Sequence, residues 1–142
     1  MKSAATYLFS DNFDSETLRG IEAAYKAQGW WSQDDSDTKL SGIIKGSHCF
    51  LAAVENSRVV GIGRAISDGI SDAYIHDVTV LPEARGQGIG SEIVRRISLK
   101  LKKDGIKWIG LIAQDGSEKF YQKLDFKVLE KAAPMLDKNS YV

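Results

Sequence analysis

Three shortages bound what this chain can be. Cysteine occurs once, at Cys49, so no internal disulfide can form, and a reducing compartment, the cytoplasm, is expected. Net charge is absent: 19 Lys and Arg balance 19 Asp and Glu, which argues against a dedicated nucleic-acid binder. Long apolar runs are absent as well. No stretch approaches membrane-spanning length, and the start, MKSAATYLFSDNF, carries no signal-peptide core. There are two prolines, and no internal repeat, low-complexity tract or linker. A chain of 142 residues of this kind reads as one domain, 1–142, burying roughly two thirds of its unfolded surface.

What is present is punctuated periodicity. Ala5–Ser10 reads as a first strand. Asp14 or Ser15 can cap a helix over about Glu16–Gln28, and Ser36 or Asp37 a shorter one carrying Leu40, Ile43 and Ile44. Cys49–Glu55 and Arg58–Ile66 read as strands joined by a hairpin turn, and Ala73–Leu81 as a third, ended by Pro82. Ile89, Ile93, Val94, Ile97 and Leu101 recur at helical spacing, which predicts a helix over Gly88–Lys103. A strand is expected at Ile106–Ala113. A short helix follows at Asp115–Leu124, with Asp115 and Glu118 spaced as a capping box, and then a strand over Phe126–Glu130. Tight turns imply antiparallel pairing, whereas strand–helix–strand implies a parallel pair. The expected class is therefore α/β (α+β) with a mixed, mostly antiparallel sheet.

The stretch VLPEARGQGIGSE places Gly86, Gly88 and Gly90 where the helix begins. A helix start presents unpaired N–H groups and the positive end of the dipole, and glycine lets an anion reach them. Arg85 adds a positive charge. A Walker A loop would need Gly-Lys-Ser/Thr, and a dinucleotide fingerprint would need G-x-G-x-x-G; neither is present. The stretch reads as a pyrophosphate cradle. Charge is uneven along the chain: acidic residues crowd the first third, and basic ones follow the glycines. The plain reading is two solvated faces; the alternative is a cationic and an anionic ligand.

Arg85, Gly88 and Gly90 meet the pattern R/Q-x-x-G-x-G/A. With DVTVLPEARGQGIG before it and FYQKLDF behind, the chain resembles the GNAT superfamily of N-acetyltransferases over nearly its whole length. The resemblance implies the acyl-CoA N-acyltransferase fold, with about six to seven strands, a splayed parallel pair and about four helices. It implies acetyl-CoA as cosubstrate and no metal. The pyrophosphate would lie on Arg85, Gly86, Gln87, Gly88, Ile89, Gly90 and Ser91. The pantetheine would lie on Val78, Thr79 and Val80, with Gln114 (where many relatives have Asn) and Ser117 completing the cofactor site. Many relatives have Gly where Asp125 stands; Asp tolerates a left-handed turn.

By the same resemblance, Tyr121 would give a proton to the departing CoA thiolate, and a backbone N–H such as that of Val78 would polarise the thioester. His76 would take the amine's proton, directly or through water, unless no single base is essential; His48 is a weaker candidate. With period two, Tyr74, His76, Val78 and Val80 would share a face, with Asp77 on the opposite one. Tyr25, Trp30, Trp31 and Tyr74 are expected around the acceptor, and Asp34, Asp35 and Asp37 could attract a cationic amine. The acceptor is expected to be a small-molecule primary amine. A protein lysine or N-terminus, a non-catalytic acyl-CoA module and a nucleotide binder of another family are the alternatives. No nucleic-acid or membrane partner is expected. A homodimer, through a tail at Ala132–Val142, is an open alternative by analogy with relatives.

Overall fold

Capping chemistry sets the first helices. Asp14 Oδ1 accepts the Thr17 N–H at 2.7 Å and starts α1 (Ser15–Ala27), and Ser36 Oγ accepts the Lys39 N–H and starts α2 (Asp37–Gly46). The structure, a computed structural model, describes residues 4–140. The strands are β1 (Thr6–Phe9), β2 (Cys49–Glu55), β3 (Arg58–Ser67), β4 (Asp72–Val80) and β5 (Trp108–Gly110). After β4 come a single 3-10 turn at Pro82–Ala84 and α3 (Ile89–Lys103); α4 (Glu118–Gln122) follows β5. Contacts divide the chain into two compact units, one ending at Leu111 and one beginning at Ile112.

In the first unit the five strands lie in chain order. All neighbours are antiparallel except the parallel pair β4–β5. Asn56 and Ser57 both take left-handed conformations (φ 52° and 61°), the two-residue hairpin turn that matches strand twist between β2 and β3. One face of the sheet is covered by α1 and α2: Ile21, Ala24, Tyr25, Leu40 and Ile44 pack with Phe50, Ala52, Val59 and Ile62. The other face carries α3, whose buried stripe is Ile89, Ile93, Val94, Ile97 and Leu101. That helix lies so close that a β-carbon on Gly61 would stand 2.9 Å from Ile93 Cδ1, and one on Gly63 2.6 Å from Ile93 Cγ2. Among the described residues no helix is long and apolar enough to cross a membrane.

The mixed, mostly antiparallel sheet with its parallel pair and four α-helices agrees with the expected class, but five strands are present among the described residues rather than six to seven. The expected strand at Ile106–Ala113 shrinks to Trp108–Gly110. Ile106 is used in closing α3, its N–H donating to the Leu101 carbonyl at 3.0 Å. The expected strand at Phe126–Glu130 does not form. Val128 and Leu129 are both exposed, and no neighbouring strand pairs with the segment among the described residues.

In the second unit the capping box at Asp115 and Glu118 is also absent. Asp115 and Gly116 form a left-handed turn (φ 53° and 76°), and α4 begins after Ser117 without a side-chain cap. The expected pairing tail ends at Tyr141 and Val142, which lie outside the described residues.

Candidate active site

Two breaks in regularity build the candidate site on β4. The first is where its pairing with β5 stops. Asp72, Ala73 and Tyr74 oppose Trp108, Ile109 and Gly110, so the rest of β4 continues without a β5 partner. The Leu81 N–H donates to the Val60 carbonyl, so the alternation of antiparallel bonds turns the backbone groups of Val80 away from β3. The Val80 carbonyl accepts the Arg85 Nε–H at 2.9 Å. Arg85 is thus anchored to the strand beside the loop it introduces.

The second break is a bulge. His76 opposes Arg64 and Thr79 opposes Ile62, leaving Gly63 across from both Asp77 and Val78. Asp77 takes φ 55° to make this possible. The bulge corrects the expected facing of β4. Register puts Tyr74, His76 and Thr79 on the α1 face, with Ile66, Arg64 and Ile62. Val78 lies on the α3 side, its Cγ2 3.5 Å from where a Gly63 β-carbon would be. Val80, opposite Gly61, goes with it. Asp77 turns toward α1 instead of away from His76. Its Oδ2 accepts the Tyr25 hydroxyl at 2.8 Å and the Arg64 Nε–H at 2.6 Å. Arg64 also donates to Ser47 Oγ at 3.3 Å, and Thr79 Oγ1 donates to Gln28 Oε1 at 2.8 Å. The alternating sequence AYIHDVTV carried no signal for this bulge, and nothing in the sequence singled out Arg64.

His76 is exposed on the α1 face. Partial desolvation and the Arg64 charge hold its pKa below the usual histidine value, with Asp77 acting the other way. The ring is therefore neutral at neutral pH and able to accept a proton. His48 is placed elsewhere: its Nε2 lies 2.8 Å from Asp104 Oδ2, at the C-terminal end of α3.

The loop before α3 turns on its glycines. Gly86 and Gly88 take φ 79° and 82°, a region costly for other residues, and a β-carbon on either would meet nothing within 4 Å. Gly88 is the N-cap and has no side chain to fill that role, so the first-turn N–H groups of Ile89, Gly90 and Ser91 have no side-chain cap. Uncapped donors behind open space fit a phosphate group.

The expected acceptor residues separate. Tyr25 is a core residue, 3% exposed, with its ring against Trp30 and Trp31. Trp30 is exposed at the surface. Trp31 lines an open concavity with Glu22, Lys26, Ser32, Gln33 and Asp35, and Lys39 Nζ sits 5.3 Å from its ring centre while bonded to Asp35 at 2.6 Å. Tyr74 lies on the β4 surface with its ring 5.2 Å from that of Trp108.

Gln114, Ser117 and Tyr121 belong to the second unit. Gln114 is exposed, and its carbonyl accepts the Ser117 N–H at 3.1 Å. Tyr121 packs edge-on against Phe120 and Phe126, and burial raises its pKa, so the phenol keeps its proton at neutral pH. α4 ends with Phe126 N–H donating to the Tyr121 carbonyl and Asp125 N–H to Gln122. Asp125 is left-handed at φ 68°, where glycine is commonest.

Comparison with known proteins adds an independent line. The acetyltransferase (GNAT) domain profile matches residues 45–128. The N-acetyltransferase ycf52 of Pyropia yezoensis is 29% identical over 113 residues, which cover 77% of this chain and 64% of that protein. The chain thus spans less than two thirds of that relative's length. Among solved structures, a GNAT-family acetyltransferase from Streptococcus pneumoniae superposes with a TM-score of 0.78 at 24% identity, covering 96% of this chain and 99% of that one. An acetyltransferase from Clostridium acetobutylicum, solved with acetyl-CoA, superposes with a TM-score of 0.69 at 19% identity, covering 93% and 96%. With its strand-to-helix glycine loop, its interrupted parallel pair and a profile match spanning more than half its length, the chain belongs to the GNAT acetyltransferase domain family.

Proposed function

We propose that the protein transfers the acetyl group of acetyl-CoA to a primary amine of a small molecule. The observation that carries this reading is the start of α3, where uncapped N–H groups stand behind Gly86 and Gly88. They would hold the pyrophosphate, with Gln87, Ile89, Gly90 and Ser91 completing the loop, and Arg85 braces the loop against β4. The part of β4 beyond its β5 partner, Val78 to Val80, would take the pantetheine arm, with Gln114 and Ser117 as further contacts. Acetyl-CoA supplies an activated acyl group, and the chain's own residues move protons. His76, neutral at working pH, would take the proton of the incoming ammonium, and the Val78 N–H would polarise the carbonyl. Tyr121 would give its proton to the departing thiolate, and burial of the phenol supports that role. The cytoplasm is the compartment proposed with this activity.

The test is calorimetric titration of acetyl-CoA, followed by a panel of amines with detection of released thiol. Binding with amine-dependent thiol release is the expected result. Binding without release from any amine would move the acceptor to a protein lysine or N-terminus, or make the chain a non-catalytic acyl-CoA module. Failure to bind would overturn the reading.

A further inference from the structure

The bulge on β4 needs support. An aspartate at φ 55° inside a strand is a conformation that few side chains adopt, and it persists only where neighbours fix it. Three elements meet at its carboxylate. Asp77 Oδ2, on β4, accepts the Tyr25 hydroxyl of α1 at 2.8 Å and the Arg64 Nε–H of β3 at 2.6 Å. From there Arg64 Nη1 donates to Ser47 Oγ at 3.3 Å, and that hydroxyl donates to the Ile43 carbonyl of α2 at 2.6 Å. Gln28, three residues after Tyr25, accepts the Thr79 hydroxyl. The C-terminal end of α1 therefore grips β4 on both sides of Val78.

The same residues bear on His76. Arg64 stands opposite His76 in the ladder, so both side chains lie on the α1 face. The Arg64–Asp77 pair is largely withdrawn from water, with side chains 17% and 23% exposed, so its charges are weakly screened. The groups with charge or exchangeable protons at this part of the face are Arg64 from β3, Asp77 from β4 and Tyr25 from α1. Tyr74 lies further along β4 on the same face, with the uncharged Trp108 of β5 against it. Burial first, then the Asp77 charge, raises the Tyr25 pKa, so its hydroxyl stays protonated and adds a donor, not a charge. Beyond desolvation, which favours the neutral His76 ring most, the Arg64 charge pushes the same way and the Asp77 charge pushes back.

We propose that Arg64, Asp77 and Tyr25 are positioning residues for acetyl transfer: the triad holds the bulge that places His76 on one side of the sheet and Val78 on the other. This rests on the transfer reading above. The three act through His76 and Val78 and take no part in the proton transfer themselves. Arg64 without Asp77 would repel the imidazolium that forms when His76 takes the amine's proton. Asp77 without Arg64 would stabilise the imidazolium before the amine arrives, so that a solvent proton fills the base. The pair balances the two demands.

The test begins with NMR titration of the two histidine rings in the full chain without ligand, for wild type, Arg64→Gln and Asp77→Asn. His76→Gln assigns the signals. Arg64→Gln should raise the pH at which His76 titrates and Asp77→Asn should lower it, each by about half a unit or more. His48, whose ring is bound to Asp104, should not move in either variant. Thiol release from acetyl-CoA is then followed with n-propylamine, ethanolamine and glucosamine as acceptors. The acid limb of kcat/KM should move with the His76 titration, and kcat should fall about tenfold in both variants. Arg64→Lys keeps the charge and loses the guanidinium fork, so it should leave the His76 titration near that of wild type and still lower kcat.

If Arg64→Gln or Asp77→Asn melts early, Tyr25→Phe and Arg64→Lys carry the test, because both preserve every charge: His76 should titrate near its wild-type pH while kcat falls. Shifts of His76 in one direction for both neutral variants, or no shift in either, would overturn the proposal and leave acetyl transfer standing. So would a kcat unchanged in all the variants. No thiol release by the wild type with any of the amines would overturn the transfer reading, and the positioning role with it; opposite His76 shifts would then mark an electrostatic link without catalysis.

Discussion

The two ends of α3 are built to opposite purposes. About 22 Å separates them along the 15 residues of the helix. At the C-terminal end three of the last carbonyls are engaged by the chain that follows. Asp104 N–H donates to the Lys100 carbonyl, Gly105 to Lys102 and Ile106 to Leu101, and Ile106 is buried behind them. The Asp104 carboxylate is held by His48 and Lys100. At the N-terminal end the cap is a glycine, nothing fills the space before it, and the acidic first-turn residue, Glu92, is turned to Arg95 and Arg96. One end closes the fold. The other leaves its first-turn donors without a side-chain cap.

The sharpest way to break that contrast is to fill the open end. Gly88→Trp should lower acetyl-CoA affinity by at least about 100-fold, because the indole takes the place of the phosphate. It should cost only about 1–2 kcal/mol of stability, from the left-handed backbone. Calorimetry and chemical denaturation read the two effects separately. A variant that lost stability but kept affinity would reverse the assignment of the two ends.

A residue on neither end separates binding from chemistry. Tyr121→Phe should leave acetyl-CoA affinity intact and lower kcat by roughly 100-fold. Equal loss of affinity would make Tyr121 a packing residue between Phe120 and Phe126.

The role proposed for His76 predicts a smaller, pH-dependent effect. Because the His76 pKa is lowered, its neutral form persists below the usual histidine pKa of about 6.5, and the acid limb of kcat/KM should lie below that value. His76→Gln should remove that limb. A limb at unchanged pH in the variant would assign it to another group.

The smallest effect belongs to the closed end. Asp104→Asn should leave acetyl-CoA affinity alone and lower stability at neutral pH. The His48 bond first, then Lys100, hold the Asp104 pKa below the ordinary carboxylate value. Its contribution is therefore present above the unfolded pKa, near 4, and is lost as pH falls through the folded one. The difference between wild type and variant should shrink on acidification, as followed by denaturant melts at several pH values. A constant difference would mean that the pair does not carry it.

The same contrast explains what could be read from residues alone. The open end was legible because glycine has few reasons to begin a helix, and Arg85, Gly88 and Gly90 fall at a recognisable spacing. The stripe of α3 was legible because burial imposes a period of 3.6, and the limits of β2 because a continuous apolar run is bounded by turn residues. What escaped notice breaks a period without leaving a mark. The bulge at Asp77 interrupts an alternation that reads as unbroken, and it moves Val78 and Val80 to the far side of the sheet. The capping box at Asp115 and Glu118 failed because a left-handed turn at Asp115 and Gly116 comes first. The Trp108 ring occupies the space over Gly110, a contact that spacing does not encode.

At Gly61 and Gly63, Ile93 rests where a side chain would begin. A β-carbon at Gly63 would press on Ile93 Cγ2 and Ile97 Cδ1, side chains that hold α3 to the sheet. A substitution at Gly63 that lowered activity would therefore report on the packing of α3 before it reported on catalysis. The close packing that the domain cannot relax lies one layer beneath the loop, where Gly63 lets Ile93 and Ile97 reach the sheet.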